Sequence, residues 1–301
     1  MKMGNEIYNG IMGLVVGDAL GVPFEFKKRD SFICPGMTGH GTYDQPPGTW
    51  SDDSSMTLAT LDSLIENKGK INLEDMMLKF MNWLYYDKYT PYNNVFDVGQ
   101  TTRSAIWEYA YNGKSVYGCG ERSVTNNGNG SLMRILPLAF IDTNTKDVFN
   151  VSGLTHAHNI AKTACLIYVK IANNLVHGYD KEDAVGNALT ECEWCMTEVF
   201  ERLKYIKDFH RNAINSSGYV IHTLEAALWC FLTTDNYKDC VEEAVRLGND
   251  TDTTAAVAGG LAGIYYGVGG DGIPEEWIEK IARKDWIKEL CEKFENALNL
   301  V

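Results

Sequence analysis

The sequence predicts an all-α protein folded as one domain over residues 1–301, and three observations predict it. Apolar residues recur at helical spacing along almost the whole chain. No series of short alternating segments with hairpin turns appears, and no repeated strand-helix-strand unit. With 45% hydrophobic residues the chain can bury a large core, and neither a Pro/Gly/Ser-rich linker nor a long charge run divides it.

The first residues, Met1-Lys2-Met3-Gly4-Asn5-Glu6, lead into a segment too rich in glycine and acid for a signal peptide. No stretch of about 20 apolar residues suggests a bilayer span. The expectation is therefore a cytoplasmic chain with no membrane partner. Residues 27–50 hold Pro35, Gly36, Gly39, Gly41, Pro46, Pro47 and Gly48 and read as a long loop able to fold over a site. Helical faces follow at Leu58, Leu61 and Ile65, then at Leu73, Met77, Phe80 and Leu84. Residues 101–111 continue the pattern, as do Ala161, Cys165, Tyr168, Ala172 and Leu175. Further helices are expected over 180–204, 220–232, 237–247, 253–266 and 285–298. The helix near 253 carries Ala255, Ala258, Gly259, Ala262 and Gly263. Each internal glycine costs about 1 kcal/mol relative to alanine, so close helix packing or a ligand is expected there.

The formal net charge of -13 disfavours a phosphate-gripping surface, so no nucleic-acid partner is expected. The 8 cysteines are scattered and read as reduced thiols. Cys192 and Cys195 form a CxxC without a second pair or a spaced histidine pair, a poor context for zinc or redox work.

Two oxygen-rich clusters stand at helix entrances: Trp50-Ser51-Asp52-Asp53-Ser54 and Gly248-Asn249-Asp250-Thr251-Asp252-Thr253-Thr254. One alone would read as helix capping. Two, facing each other in a helical bundle, could supply carboxylates for two hard divalent cations. Oxygen donors without histidine or thiolate favour Mg²⁺ or Mn²⁺, about 3.5–4 Å apart in a two-metal site.

Six motifs then occur in an order that resembles the ADP-ribosylglycohydrolase family: 17–25 (GDALGVPFE), Ser51-Asp52-Asp53, 97–102 (DVGQTT), 128–134 (GNGSLMR), Thr155-His156-Ala157-His158 and Asp250-Thr251-Asp252-Thr253. The resemblance implies a compact orthogonal multi-helix fold around a dinuclear Mg²⁺ or Mn²⁺ site, with ADP-ribose lying across a central cleft. It implies a metal shell of Ser51, Asp52, Asp53, Asp250, Asp252 and Thr253. Many members carry Thr where this chain has Ser51, which keeps the hydroxyl and lacks the methyl. Glu25 and Asp97 are implied as the carboxylates at the reacting ribose. Their plain alternatives are an exposed salt bridge for Glu25 and a helix cap for Asp97. Gly99, Gly128, Asn129, Gly130, Ser131 and Met133 are implied to contact the substrate, the glycine loop at its pyrophosphate. His156 and Tyr219 join that set, whereas Arg134 and His158 read as structural. His156 and His158, two apart on what reads as a helix, point in different directions.

The implied activity is metal-dependent release of ADP-ribose from a modified target, first of all ADP-ribosyl-arginine on protein. O-linked ADP-ribose on serine, O-acetyl-ADP-ribose and poly(ADP-ribose) are rivals, as are a silent ADP-ribose binder and a pyrophosphate hydrolase. The implied partner is an ADP-ribosylated protein or small ADP-ribosyl compound, and a monomer requires no further assumption.

Overall fold

A computed structural model of the chain describes residues 5–299. Among them the regular elements are α-helices and short 3-10 turns, with four isolated β-bridges and no strand. The helices are α1 (Glu6–Gly21), α2 (Asp52–Glu66), α3 (Leu73–Tyr86), α4 (Gln100–Asn112), α5 (Thr145–Gly153), α6 (Asn159–Val176), α7 (Lys181–Cys192), α8 (Val220–Thr233), α9 (Tyr237–Arg246), α10 (Thr251–Tyr266), α11 (Glu275–Ile278) and α12 (Lys284–Asn299). The all-α expectation holds.

Helices α1 and α10 form the centre. They lie so close that a Cβ at Gly13 would strike the carbonyl oxygen of Gly259, and one at Gly17 that of Ala255. A Cβ at Gly21 would strike the backbone of Asp252. The small-residue stripe of α10 is thus explained by backbone contact with α1. Tyr237 and Tyr168 pin the pair, their hydroxyls donating to the carbonyls of Gly13 (2.6 Å) and Val257 (2.9 Å).

Helix α1 is missing from the sequence-based expectation for a physical reason. From Gly10 to Gly21 every residue is buried, so no polar face marks its period. The segment Glu6–Phe24 is also long and apolar enough to cross a membrane by length and composition, which corrects the expectation that no stretch qualifies. In the fold it is a core helix, with 89% of the apolar window buried inside the protein.

Other corrections concern helix extent. The helix expected over 180–204 stops at Cys192, and 3-10 turns follow at Glu193–Cys195 and Glu198–Asp208. Phe200, Leu203 and Ile206 are the buried residues of the second turn. Their spacing of three fits a 3-10 helix and an α-helix alike, so the pattern cannot separate them. Helix α5 was not expected, although Asn144 and Asp147 form a reciprocal capping box at its start. Helix α6 begins after the histidines: His156 pairs with Glu121 in an isolated bridge, and His158 is the N-cap.

Candidate functional site

The N-termini of α2 and α10 meet beside the C-terminal half of α1, and three carboxylates converge there. Asp18 of α1 is fully buried and accepts from the backbone N–H of Ser51 (3.0 Å) and of Ser54 (3.0 Å), and from the Ser54 hydroxyl (2.5 Å). It therefore ties the start of α2 to α1. Asp53 accepts from the hydroxyls of Ser51 (3.0 Å) and Thr253 (3.4 Å), and Asp252 from the N–H of Thr253 (2.9 Å). Carboxylate oxygens of Asp18, Asp53 and Asp252 lie within 4.8 Å of one another. A second triple, Glu25, Asp97 and Asp252, meets the same limit and shares Asp252.

Four carboxylates around this site each keep one oxygen that the protein does not satisfy. Glu25 Oε2, Asp53 Oδ1, Asp250 Oδ1 and Asp252 Oδ2 are buried without a hydrogen-bond partner. None of the ion pairs among the described residues involves the cluster. Burial, followed by repulsion from Asp97, pushes Glu25 up to about 9. Burial raises Asp18 to about 6 against the lowering effect of its serine hydrogen bonds. Burial and neighbouring carboxylates hold Asp52, Asp53 and Asp252 well above the ordinary range, and burial raises Asp250. Unpartnered oxygens and raised carboxylates in one place fit a site for positive charge, and the donors suit a hard cation.

Above the cluster opens a cavity of about 280 Å³. Its wall includes Glu25, Asp52, Asp97, Asp250 and Thr253 from the acidic set, and Gly99, Gly128, Asn129, Gly130, Met133 and His156 from the expected substrate set. Ser51, Asp53 and Asp252 lie beneath it in the cluster. Two expected residues are not brought to the wall. The Ser131 hydroxyl is fully buried and accepts from Ser152 (3.0 Å) and from the Cys165 thiol (3.4 Å). Tyr219 is the N-cap of α8, linked to Gly128 by an isolated bridge, and Gly218 supplies the wall at that point.

The plain alternatives for the two candidate acids do not describe this structure. Glu25 is 5% exposed, so it is no surface ion-pair residue. Asp97 takes φ 52, a left-handed conformation uncommon outside glycine, and the α4 N-cap is Gly99. The chain after Glu25 is stitched to the loop before α10 by hydrogen bonds from Phe26 to Asn249 (2.6 Å) and from Asn249 to Lys27 (2.8 Å).

Gly130 makes room for histidine: a Cβ there would stand 2.8 Å from His156 Cε1. The His156 ring contacts the Thr155 hydroxyl through Nδ1 at 2.8 Å, and Arg134 donates to the same hydroxyl at 2.8 Å. Burial, with Arg134 nearby, pushes the imidazole down to about 3, so His156 is neutral around pH 7. Arg134 is fully buried over the Phe80 ring, in keeping with its structural reading.

Sequence reasoning missed Asp18 and Tyr43. Asp18 lies within the 17–25 motif, where the resemblance implies no role for it. The second sits in the 27–50 loop, its ring 5.1 Å from Phe96, and its phenol is raised by burial and then by Glu25 and Asp97. The expectation that the loop folds over the site is not met at the cavity wall: the wall takes Phe26, just before the loop, and no residue of 27–50, while Met37 and Gly48 are tied to Lys280 and Ala282.

The sequence profile described as ADP-ribosylglycohydrolase matches residues 3–300. ADP-ribosylarginine hydrolase Tri1 of Serratia proteamaculans (strain 568) is 32% identical over 289 residues, covering 94% of this chain and 77% of the relative. ADP-ribosyl-dinitrogen reductase glycohydrolase of Rhodospirillum rubrum is 33% identical over 285 residues, covering 91% and 89%. A solved structure titled ADP-ribosylglycohydrolase-related protein complex superposes with a TM-score of 0.84 at 27% identity, covering 99% of both chains.

Proposed function

The chain belongs to the ADP-ribosylglycohydrolase family of glycosidic-bond hydrolases, and on that premise we propose that it removes ADP-ribose from arginine on a modified protein. The observation that carries the reading is the pair of carboxylate triples under a cavity walled by the glycine loop. The name of one relative, an ADP-ribosylarginine hydrolase, supports the arginine linkage, and that of another, an ADP-ribosyl-dinitrogen reductase glycohydrolase, supports a protein carrier.

We assign two Mg²⁺ or Mn²⁺ ions to Ser51, Asp52, Asp53, Asp250, Asp252 and Thr253. Bound there, they would supply the positive charge that engages ribose hydroxyls and lowers the pKa of a water. The protein's own groups do the rest. Gly128 and Gly130 leave room for the His156 ring and present bare backbone on the wall that the pyrophosphate would approach, and neutral His156 offers a polar edge without adding charge. Glu25 and Asp97 flank the reacting ribose. Between them they carry a proton from water to the departing guanidino nitrogen as the carbon–nitrogen bond breaks and the water oxygen bonds to the anomeric carbon. The same proposal takes the chain as a cytoplasmic monomer whose partner is the modified protein, and its acidity argues against nucleic acid.

Mass-resolved turnover tests this. Protein carrying ADP-ribosyl-arginine, a serine-linked protein and O-acetyl-ADP-ribose are each incubated with Mg²⁺, Mn²⁺ or chelator. Metal-dependent release of intact ADP-ribose from the arginine substrate is expected. AMP as product, or preference for an O-linked substrate, would overturn the assignment.

A further inference from the structure

The wall of the cavity continues outward along α4. Gln100 lines the cavity and is exposed, and Arg103, Trp107 and Tyr111 are exposed at the following turns. At 100° per residue these four positions fall on one face, and 1.5 Å per residue extends that face about 16 Å from the cavity. Trp107 is 47% exposed and Tyr111 64%. The Tyr111 ring lies 6.1 Å from that of Trp107 and 5.7 Å from that of Tyr85 on α3. The arginine ion pairs among the described residues belong to Arg202, Arg211 and Arg246, which leaves Arg103 unpaired.

A contiguous exposed aromatic patch needs a reason, and Trp, Tyr and Arg are the residues that dominate protein–protein contacts. We infer that the Arg103–Trp107–Tyr111 face of α4, with Tyr85, docks the protein that carries the ADP-ribosylated side chain. The inference rests on the proposed function: a protein-borne ADP-ribose in the cavity brings its carrier against the cavity rim, and this face is continuous with that rim. The partner's matching surface is apolar with an acidic group, which meets the free Arg103 guanidinium.

The test compares two substrates with the same glycosidic bond, an ADP-ribosyl-arginine protein and free ADP-ribosyl-arginine. The double variant Trp107→Ser, Tyr111→Ser and, separately, Arg103→Glu are expected to lower kcat/KM on the protein by about tenfold, mostly through KM. Both should leave the free conjugate unchanged. Equal loss on the two substrates, or no loss on either, would overturn the docking face while leaving the enzymatic reading intact. Wild-type protein that hydrolyses neither substrate would refute that reading, and the docking face with it.

Discussion

Asp18 shows how a carboxylate can build a site before it does any chemistry. Its hydrogen bonds from Ser51 and Ser54 hold the start of α2 against α1. Asp18→Ala should destabilise the chain by about 1–3 kcal/mol, because buried donors lose their acceptor. Asp18→Asn, which keeps an accepting oxygen, should cost less. Thermal unfolding in chelator would measure both, and equal losses would argue against hydrogen bonding as the cause. Glu25 and Asp97 differ in kind, since among the described residues neither side chain caps a helix or forms an ion pair. Glu25→Gln and Asp97→Asn are expected to cut turnover by about 10² to 10⁴ while circular dichroism is unchanged. Unaltered kcat would remove the residue concerned from the proton path. These two acids were legible because they stand in ordered motifs. Tyr43 was not: it reaches Glu25 from a glycine- and proline-rich loop whose path no periodicity reveals.

At the scale of elements, the seam between α1 and α10 sets the distance between Asp18 and Asp252, which belong to the same carboxylate triple. Its glycines are held by backbone contact, so even one methyl must push the helices apart. Gly17→Ala is expected to destabilise by about 1–3 kcal/mol, the usual cost of overpacking, and also to weaken Mg²⁺ or Mn²⁺ binding because the carboxylates separate. Calorimetric titration on the folded variant checks the second effect, and wild-type affinity would show that the seam does not gauge the site. The sequence displayed half of this contact. Gly259 and Gly263 interrupt a recognisable helix, but α1 is buried on every side through Gly10–Gly21 and offers no amphipathic signal. Likewise, spacing of three left 198–208 open to either helix type, and the structure makes it 3-10 with a kink at Tyr205.

For the whole molecule, the acidic cluster makes stability depend on pH and metal together. A carboxylate whose folded pKa is raised binds protons in the native state that the unfolded chain has released, so its stabilising effect is complete below about 4 and fades as pH rises through the folded value. His156, pushed down to about 3, works in the opposite sense, because the unfolded imidazole takes up a proton below about 6.5 and the buried one does not. Above 6.5 the imidazole is neutral in both states and drops out. Between 6.5 and about 9, where Glu25 still titrates, the carboxylates alone set the trend among these groups, and the metal-free chain should lose stability as pH rises. A divalent cation held by these carboxylates would displace those protons, and at a hundredfold excess over Kd would add about 2.7 kcal/mol. The gain in melting temperature on adding metal should therefore be larger at pH 8.5 than at pH 6.5. A gain independent of pH would mean that the ions bind elsewhere than on the raised carboxylates.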